Sequence, residues 1–81
     1  MNTNPTKAER AHMGKVKNLD CSVCNAPPPS DAHHIDQKCA FTTVALCRSC
    51  HNSLHGSKAI WRVMKLDELQ ALNITLKRLL S

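Results

Sequence analysis

The run Phe41-Thr42-Thr43-Val44-Ala45-Leu46-Cys47-Arg48-Ser49-Cys50-His51-Asn52-Ser53-Leu54-His55-Gly56 changes character halfway along. Its first six residues are β-branched or apolar and read as a short strand. Cys47 to His55 can wind as a helix, and Gly56 suits a left-handed C-terminal cap. Upstream, Ala32-His33-His34-Ile35-Asp36 is another short strand candidate, joined to the first by a loop near Gln37-Lys38-Cys39. A hairpin followed by a helix, a small ββα unit, is the predicted centre of the fold.

The cysteines add a cross-link to that unit. Cys21-x-x-Cys24 and Cys47-x-x-Cys50 are two pairs with the two-residue gap that lets both thiolates reach one ion. Together they supply the four sulfur ligands of a closed tetrahedral zinc site, which has no open position and is structural. A chain of 81 residues buries a modest core, and such a staple is what a domain of this size needs. The fifth cysteine, Cys39, falls in the hairpin loop and is expected to be an unpaired thiol. With an odd count and two Cys-x-x-Cys pairs, metal-held thiolates are favoured over disulfides, and a redox dithiol is the competing reading.

Four of the five histidines surround the same unit. His51 and His55 are four apart, so a helix places them on one face, where two imidazoles can meet one divalent ion. His33 and His34 are neighbours on a strand and face opposite ways. That permits one of them to complete a metal site while the other stays unligated as a general base. His12 falls outside this pattern and has no assigned role.

Around this centre, residues 1–18 are polar and basic, with Gly14 interrupting any helix, and read as an arm. Thr6-Lys7-Ala8-Glu9 has the form of a capping box, which predicts a short helix to about His12 or beyond. Asn25 to Ser30 contains three consecutive prolines and is a turn or extended loop. Lys58 to Lys65 carries Ile60, Trp61, Val63 and Met64 and is a short helix or irregular cover. Over 66–81, Leu69, Leu72, Leu76, Leu79 and Leu80 recur at helical spacing, with Asp67 and Glu68 at the start and Lys77 and Arg78 near the end, as in an amphipathic covering helix. The expected class is therefore α+β: one zinc-stapled ββα domain over 19–81, ending in that helix. No apolar run reaches about 18 residues, and the N-terminus has neither apolar core nor cleavage site, so a cytosolic protein is expected, with no membrane partner. Lys+Arg 11 against Asp+Glu 6 gives a net charge of +5, which suits a polyanion.

Cys21-x-x-Cys24, Ala32-His33-His34-Ile35, Leu46-Cys47-x-x-Cys50-His51 and His55-Gly56 resemble the zinc-supported branch of the HNH nucleases, whose catalytic unit is the ββα-metal motif. With Trp61 following, the order is similar to that of phage recombination-enhancement nucleases, which cleave DNA in dependence on a RecA filament. The resemblance runs from about Thr6 to Trp61. It implies that His34 is the general base and that His33, His51 and His55 hold a catalytic Mg²⁺ or Mn²⁺, although three imidazoles also suit Zn²⁺ or Ni²⁺. It also implies DNA as substrate, RecA as a partner, a phage or prophage origin in a bacterial cytoplasm, and a monomer or weak dimer. The Asn that in many members orients the base has no clear counterpart here, and Thr42 or Thr43 can supply the equivalent hydrogen bond. For holding DNA, Arg48 has its backbone fixed by the cysteines around it. Lys38, Lys58 and Arg62 lie near the predicted site, and Lys7, Arg10, Lys15 and Lys17 lie on the arm. The alternative is a non-catalytic, zinc-ribbon-like nucleic-acid-binding module, in which changing His34 alters no turnover.

Overall fold

The structure is a computed structural model that describes residues 5–81; the first four residues of the expected arm lie outside the described residues. Its elements are α1 (Lys7–Lys17), β1 (Asp31–His34), β2 (Thr43–Leu46), α2 (Arg48–His55), α3 (Ala59–Met64) and α4 (Glu68–Leu79). The class is α+β, with a two-stranded sheet and four helices among the described residues. No helix in them is long and apolar enough to cross a membrane.

The strands pair antiparallel, with Asp31 opposite Leu46, Ala32 opposite Ala45, His33 opposite Val44 and His34 opposite Thr43. Cross-strand partners share a face and neighbours alternate. His33, Val44, Asp31 and Leu46 therefore project from one side, and Ala32, His34, Thr43 and Ala45 from the other. Val44 and Leu46 enter the core with Leu54 of α2, Trp61 of α3, Ala71 and Leu72 of α4, and the sulfur-bearing Cys21 and Cys50. Two of the cysteines are thus part of the apolar core, which helps so short a chain to assemble one. Trp61 donates its indole N–H to the Cys50 carbonyl at 2.9 Å, fixing α3 against α2.

The free edge of β2 is closed by two groups from outside the sheet. Ser22 donates its backbone N–H to the Ala45 carbonyl at 2.9 Å, and the Ala45 N–H donates to Thr75 Oγ1 at 3.3 Å. Thr75 is fully buried and in turn meets Ser22 Oγ at 2.7 Å. Arg78, one turn on, donates to the carbonyls of Asp20 and Cys21 at 3.3 and 3.2 Å and to Asn25 Oδ1 at 2.6 Å. In this way α4 clamps the first cysteine loop onto the sheet.

Several sequence expectations need correcting. The expected capping box forms, as Thr6 and Glu9 exchange hydrogen bonds, but Gly14 does not interrupt the helix, which runs through it to Lys17. Gly14 is tolerated because its position is open, with nothing within 4 Å of an added Cβ. Val16 is fully buried where α1 packs on both strands, and the His12 ring lies against Phe41 at 5.0 Å. Gly56 is not left-handed, with φ −118° and ψ −119°; the left-handed residue is Lys58 at φ 60°. A side chain at Gly56 would instead bring its Cβ to 3.3 Å from the Asn52 carbonyl oxygen. The strands are shorter than expected, since Ile35 and Asp36 on one side and Phe41 and Thr42 on the other belong to the turn. Leu69 and Leu80 do not line the covered face of α4. They are 71 % and 85 % exposed, and the buried stripe is Ala71, Leu72 and Thr75.

Candidate metal centres

Four cysteines converge at the junction of the first loop and α2. Cys21, Cys24, Cys47 and Cys50 place their sulfurs within 4.8 Å of one another, an arrangement that can hold a metal ion such as zinc. Two local structures deliver them. In the first, Asn25 adopts φ 64°, which Asn tolerates, and its N–H returns to the Cys21 carbonyl at 3.0 Å while the Val23 N–H points at Cys21 Sγ at 3.4 Å. In the second, Cys47 is the N-cap of α2 and accepts from the Cys50 N–H at 3.4 Å.

Cys24 and Cys47 sulfurs stand 3.6 Å apart. Two thiolates bound at about 2.3 Å to one tetrahedral ion are separated by about 3.8 Å, so the spacing suits zinc with little adjustment. The thiols are poised unequally. Burial opposes ionisation of Cys21, but backbone hydrogen bonds at Cys24, Cys47 and Val23 outweigh it and lower that thiol to about 7. Burial and the neighbouring sulfurs push Cys50 upward, and burial with the facing Cys47 sulfur raises Cys24. Four thiolates packed this closely repel, and a divalent cation is what removes the penalty. Cys39 is exposed and outside this cluster.

A second group forms on the other side of α2. His33 from β1 and His51 and His55 from α2 bring one ring nitrogen each within 4.8 Å of the others. The ring centroids are 5.1 Å apart for His33 and His51, 5.4 Å for His33 and His55, and 5.0 Å for His51 and His55. The helical i, i+4 spacing and the strand residue expected to join it thus meet. They line an open cleft of about 540 Å³ together with His34, Lys58 and Glu68.

Two carboxylates that the sequence reading did not single out hydrogen-bond to members of this group. Asp31 Oδ2 accepts from His51 Nδ1 at 3.0 Å, which leaves the Nε2 lone pair of a neutral His51 free for a ligand. Asp31 lies two residues before His33, so strand alternation puts it on the same face. That periodicity was the available signal. Glu68 Oε2 accepts from His33 Nε2 at 2.9 Å; it comes from the first turn of α4, 35 residues away, and no local pattern announces it.

The remaining expected residues are placed as follows. His34 is half-buried, belongs to the opposite face of β1 from His33 and borders the same cleft. Thr43 lies directly across from it, but is fully buried and donates its hydroxyl to the Ala40 carbonyl, so its proton is not available to orient His34. Thr42 likewise donates to the Cys39 carbonyl. Arg48 is not a free cation: its Nε lies 3.2 Å from Asp31 Oδ2, although the side chain is 77 % exposed. Lys58 borders the cleft, Lys38 is exposed in the hairpin turn and Arg62 is exposed on α3. Lys7, Arg10, Lys15 and Lys17 are all exposed on α1; at their spacing Lys7, Arg10 and Lys17 fall on one arc of the helix that leaves out the buried Val16. No protein family, curated protein or solved structure matches this chain.

Proposed function

We propose that this protein is an HNH-type endonuclease, hydrolysing DNA phosphodiester bonds with a divalent metal and using a separate zinc for structure. The observation that carries the reading is the meeting of His33, His51 and His55 beside His34, in a cleft on a ββα unit whose other side holds four cysteines. Closed thiolate sites stabilise, whereas an open imidazole site on a solvent-facing cleft leaves room for a substrate.

His33, His51 and His55 would hold the catalytic ion. When bound, Mg²⁺ or Mn²⁺ would offset the negative charge that develops during phosphodiester cleavage. Asp31 holds the His51 ring in one orientation and tautomer. His34, outside the ligand set, takes a proton from the attacking water as its oxygen bonds to phosphorus and the bond from phosphorus to the leaving sugar oxygen breaks, that oxygen taking a proton from solvent. Lys58 at the rim and the exposed cations of α1 attract the DNA backbone without reading its sequence. With only Phe41 and Trp61 as aromatics, and Trp61 in the core, base stacking has little to work with. A RecA filament is the partner that delivers DNA in the nucleases this sequence resembles, and the same role is proposed here.

Nicking of supercoiled plasmid at low salt by the zinc-loaded protein tests the proposal. Open circles should appear with Mn²⁺ or Mg²⁺ added, and His55→Ala should abolish them. A wild-type protein that nicks neither naked nor RecA-coated DNA in any of these ions would leave the binding-module reading in its place.

A further inference from the structure

A second cleft, of about 300 Å³, adjoins the histidine cleft and has Leu54, Lys58 and Glu68 in common with it. Three cations line it: Lys58 just before α3, Arg62 within the helix and Lys65 just after it. All three are exposed, and none is in an ion pair among the described residues. Their backbone is held in place. The Lys58 N–H donates to the Ser53 carbonyl at 2.7 Å, the Arg62 N–H to the Lys58 carbonyl at 3.0 Å and the Lys65 N–H to the Arg62 carbonyl at 3.2 Å. Trp61, beside Arg62, ties the helix to α2 through the Cys50 carbonyl. Asp67 and Glu68 also line the cleft, but each carboxylate already accepts a hydrogen bond, from the Gln70 N–H at 2.7 Å and from His33 at 2.9 Å. The charge left to meet a ligand is therefore the positive charge carried by α3 and its two ends.

We propose that Lys58, Arg62 and Lys65 form a phosphate row that holds the DNA strand to one side of the scissile phosphate. The inference rests on the reading of the histidine cleft as the nuclease centre. Lys58 borders both clefts, so a strand with its scissile phosphate among the histidines meets Lys58 first, then Arg62 and Lys65 as it leaves. Cations bind a polyanion by displacing its counterions, and each contact adds affinity without reading sequence. Contacts of this kind fix register and orientation on the strand. The row has no face for base stacking, because Trp61, its one aromatic neighbour in the cleft, is buried. Its part is to set which phosphate lies over the histidines.

Fluorescence anisotropy of a short labelled DNA duplex, titrated with the zinc-loaded protein and no other divalent ion, tests the row across a range of salt. The variants are Arg62→Gln with Lys65→Gln, the charge-retaining pair Arg62→Lys with Lys65→Arg, Lys65→Gln alone, and Lys77→Gln, which removes an exposed charge outside both clefts. Zinc content and circular dichroism check that each is folded. The paired glutamine variant should bind about tenfold more weakly or worse and flatten the salt dependence by about 1.8 units of slope, while the charge-retaining pair stays within about threefold of wild type. Lys77→Gln should cost less affinity than Lys65→Gln. Unchanged affinity in the paired glutamine variant would overturn the row. An equal loss for Lys77→Gln would overturn it too, since net charge alone would then account for the effect. In plasmid nicking with Mn²⁺, the paired glutamine variant should need about tenfold more DNA for half its maximal rate and keep that maximal rate within about threefold. A fall in the maximal rate alone would contradict a holding role. A wild-type protein that nicks in no ion, yet loses DNA affinity when the row is removed, would end the nuclease reading and leave the row standing as a DNA contact.

Discussion

Replacing Thr75 by Val keeps the shape of the side chain and removes one oxygen, yet it should be among the most destabilising single changes in the chain. Thr75 is fully buried, and its Oγ1 accepts from the Ala45 N–H at 3.3 Å, meets Ser22 Oγ at 2.7 Å and donates to the Ala71 carbonyl at 3.0 Å. Ser22 is also buried, so with valine both the β2 edge N–H and the serine hydroxyl lose their partner where water does not replace it. Each buried group left unsatisfied costs about 1–3 kcal/mol, which sums to about 2–4 kcal/mol once partial relaxation is allowed. For a domain of this size that lowers the melting temperature by on the order of 10–25 °C. Thermal unfolding followed by circular dichroism, at a fixed excess of zinc so that metal linkage is constant, measures it. Thr75→Ser, which keeps the oxygen and loses a methyl, should fall by only about 1 kcal/mol. The double variant Ser22→Ala with Thr75→Val should recover part of the loss, because one orphan is removed. A Thr75→Val protein melting within about 3 °C of wild type would refute the argument that this hydroxyl closes the sheet edge.

Other outcomes follow from the same geometry. Asp31→Asn retains the shape but weakens the hold on His51, and should reduce Mn²⁺ affinity about 10- to 100-fold in a calorimetric titration of the zinc-loaded protein while leaving zinc content unchanged. A strong chelator should unfold the protein by removing the cysteine-bound zinc, reversibly on zinc return, as seen in the far-ultraviolet spectrum. Because thiols must lose protons to bind, zinc affinity should fall as pH drops. The metal-free Cys21 thiol, lowered to about 7, gives up no proton to zinc above that pH and one below it, so the fall in affinity should steepen by one proton as pH passes below about 7; competition with a chromophoric chelator between pH 6 and 8 reads the slope. Changing Lys7, Arg10 and Lys17 together to Ala should weaken DNA binding uniformly across sequences and flatten the salt dependence by about two to three units of slope.

What the sequence disclosed and what it hid divide along one physical line. Chemistry set by spacing within a single element was legible: the two cysteine pairs, the i, i+4 histidines on α2, the capping box at Thr6 and the hairpin register that separates His33 from His34. Features that depend on which element meets which were not. α1 docks through one fully buried side chain, Val16, too little apolar surface to stand out in a basic segment. Glu68 reads as a favourable charge at the start of a helix, a role it does fill, and only the packing of α4 on β2 brings it to His33. The same packing decides that Thr75, a polar residue, is inside and Leu69 outside, against the leucine periodicity. Gly56 does end α2, as its place in the sequence suggests, but without the left-handed conformation, which falls instead on Lys58.

The most direct test of the central claim is a comparison of wild type with His34→Ala, assaying plasmid nicking in Mn²⁺ alongside the zinc and manganese content of each protein. His34 lies in neither ligand set, so the variant should keep its zinc, its manganese and its melting temperature and lose nicking by about 10²-fold or more. A variant that binds both metals and nicks at the wild-type rate would show that the proton is taken elsewhere, and the proposed assignment of roles on the ββα unit would be wrong.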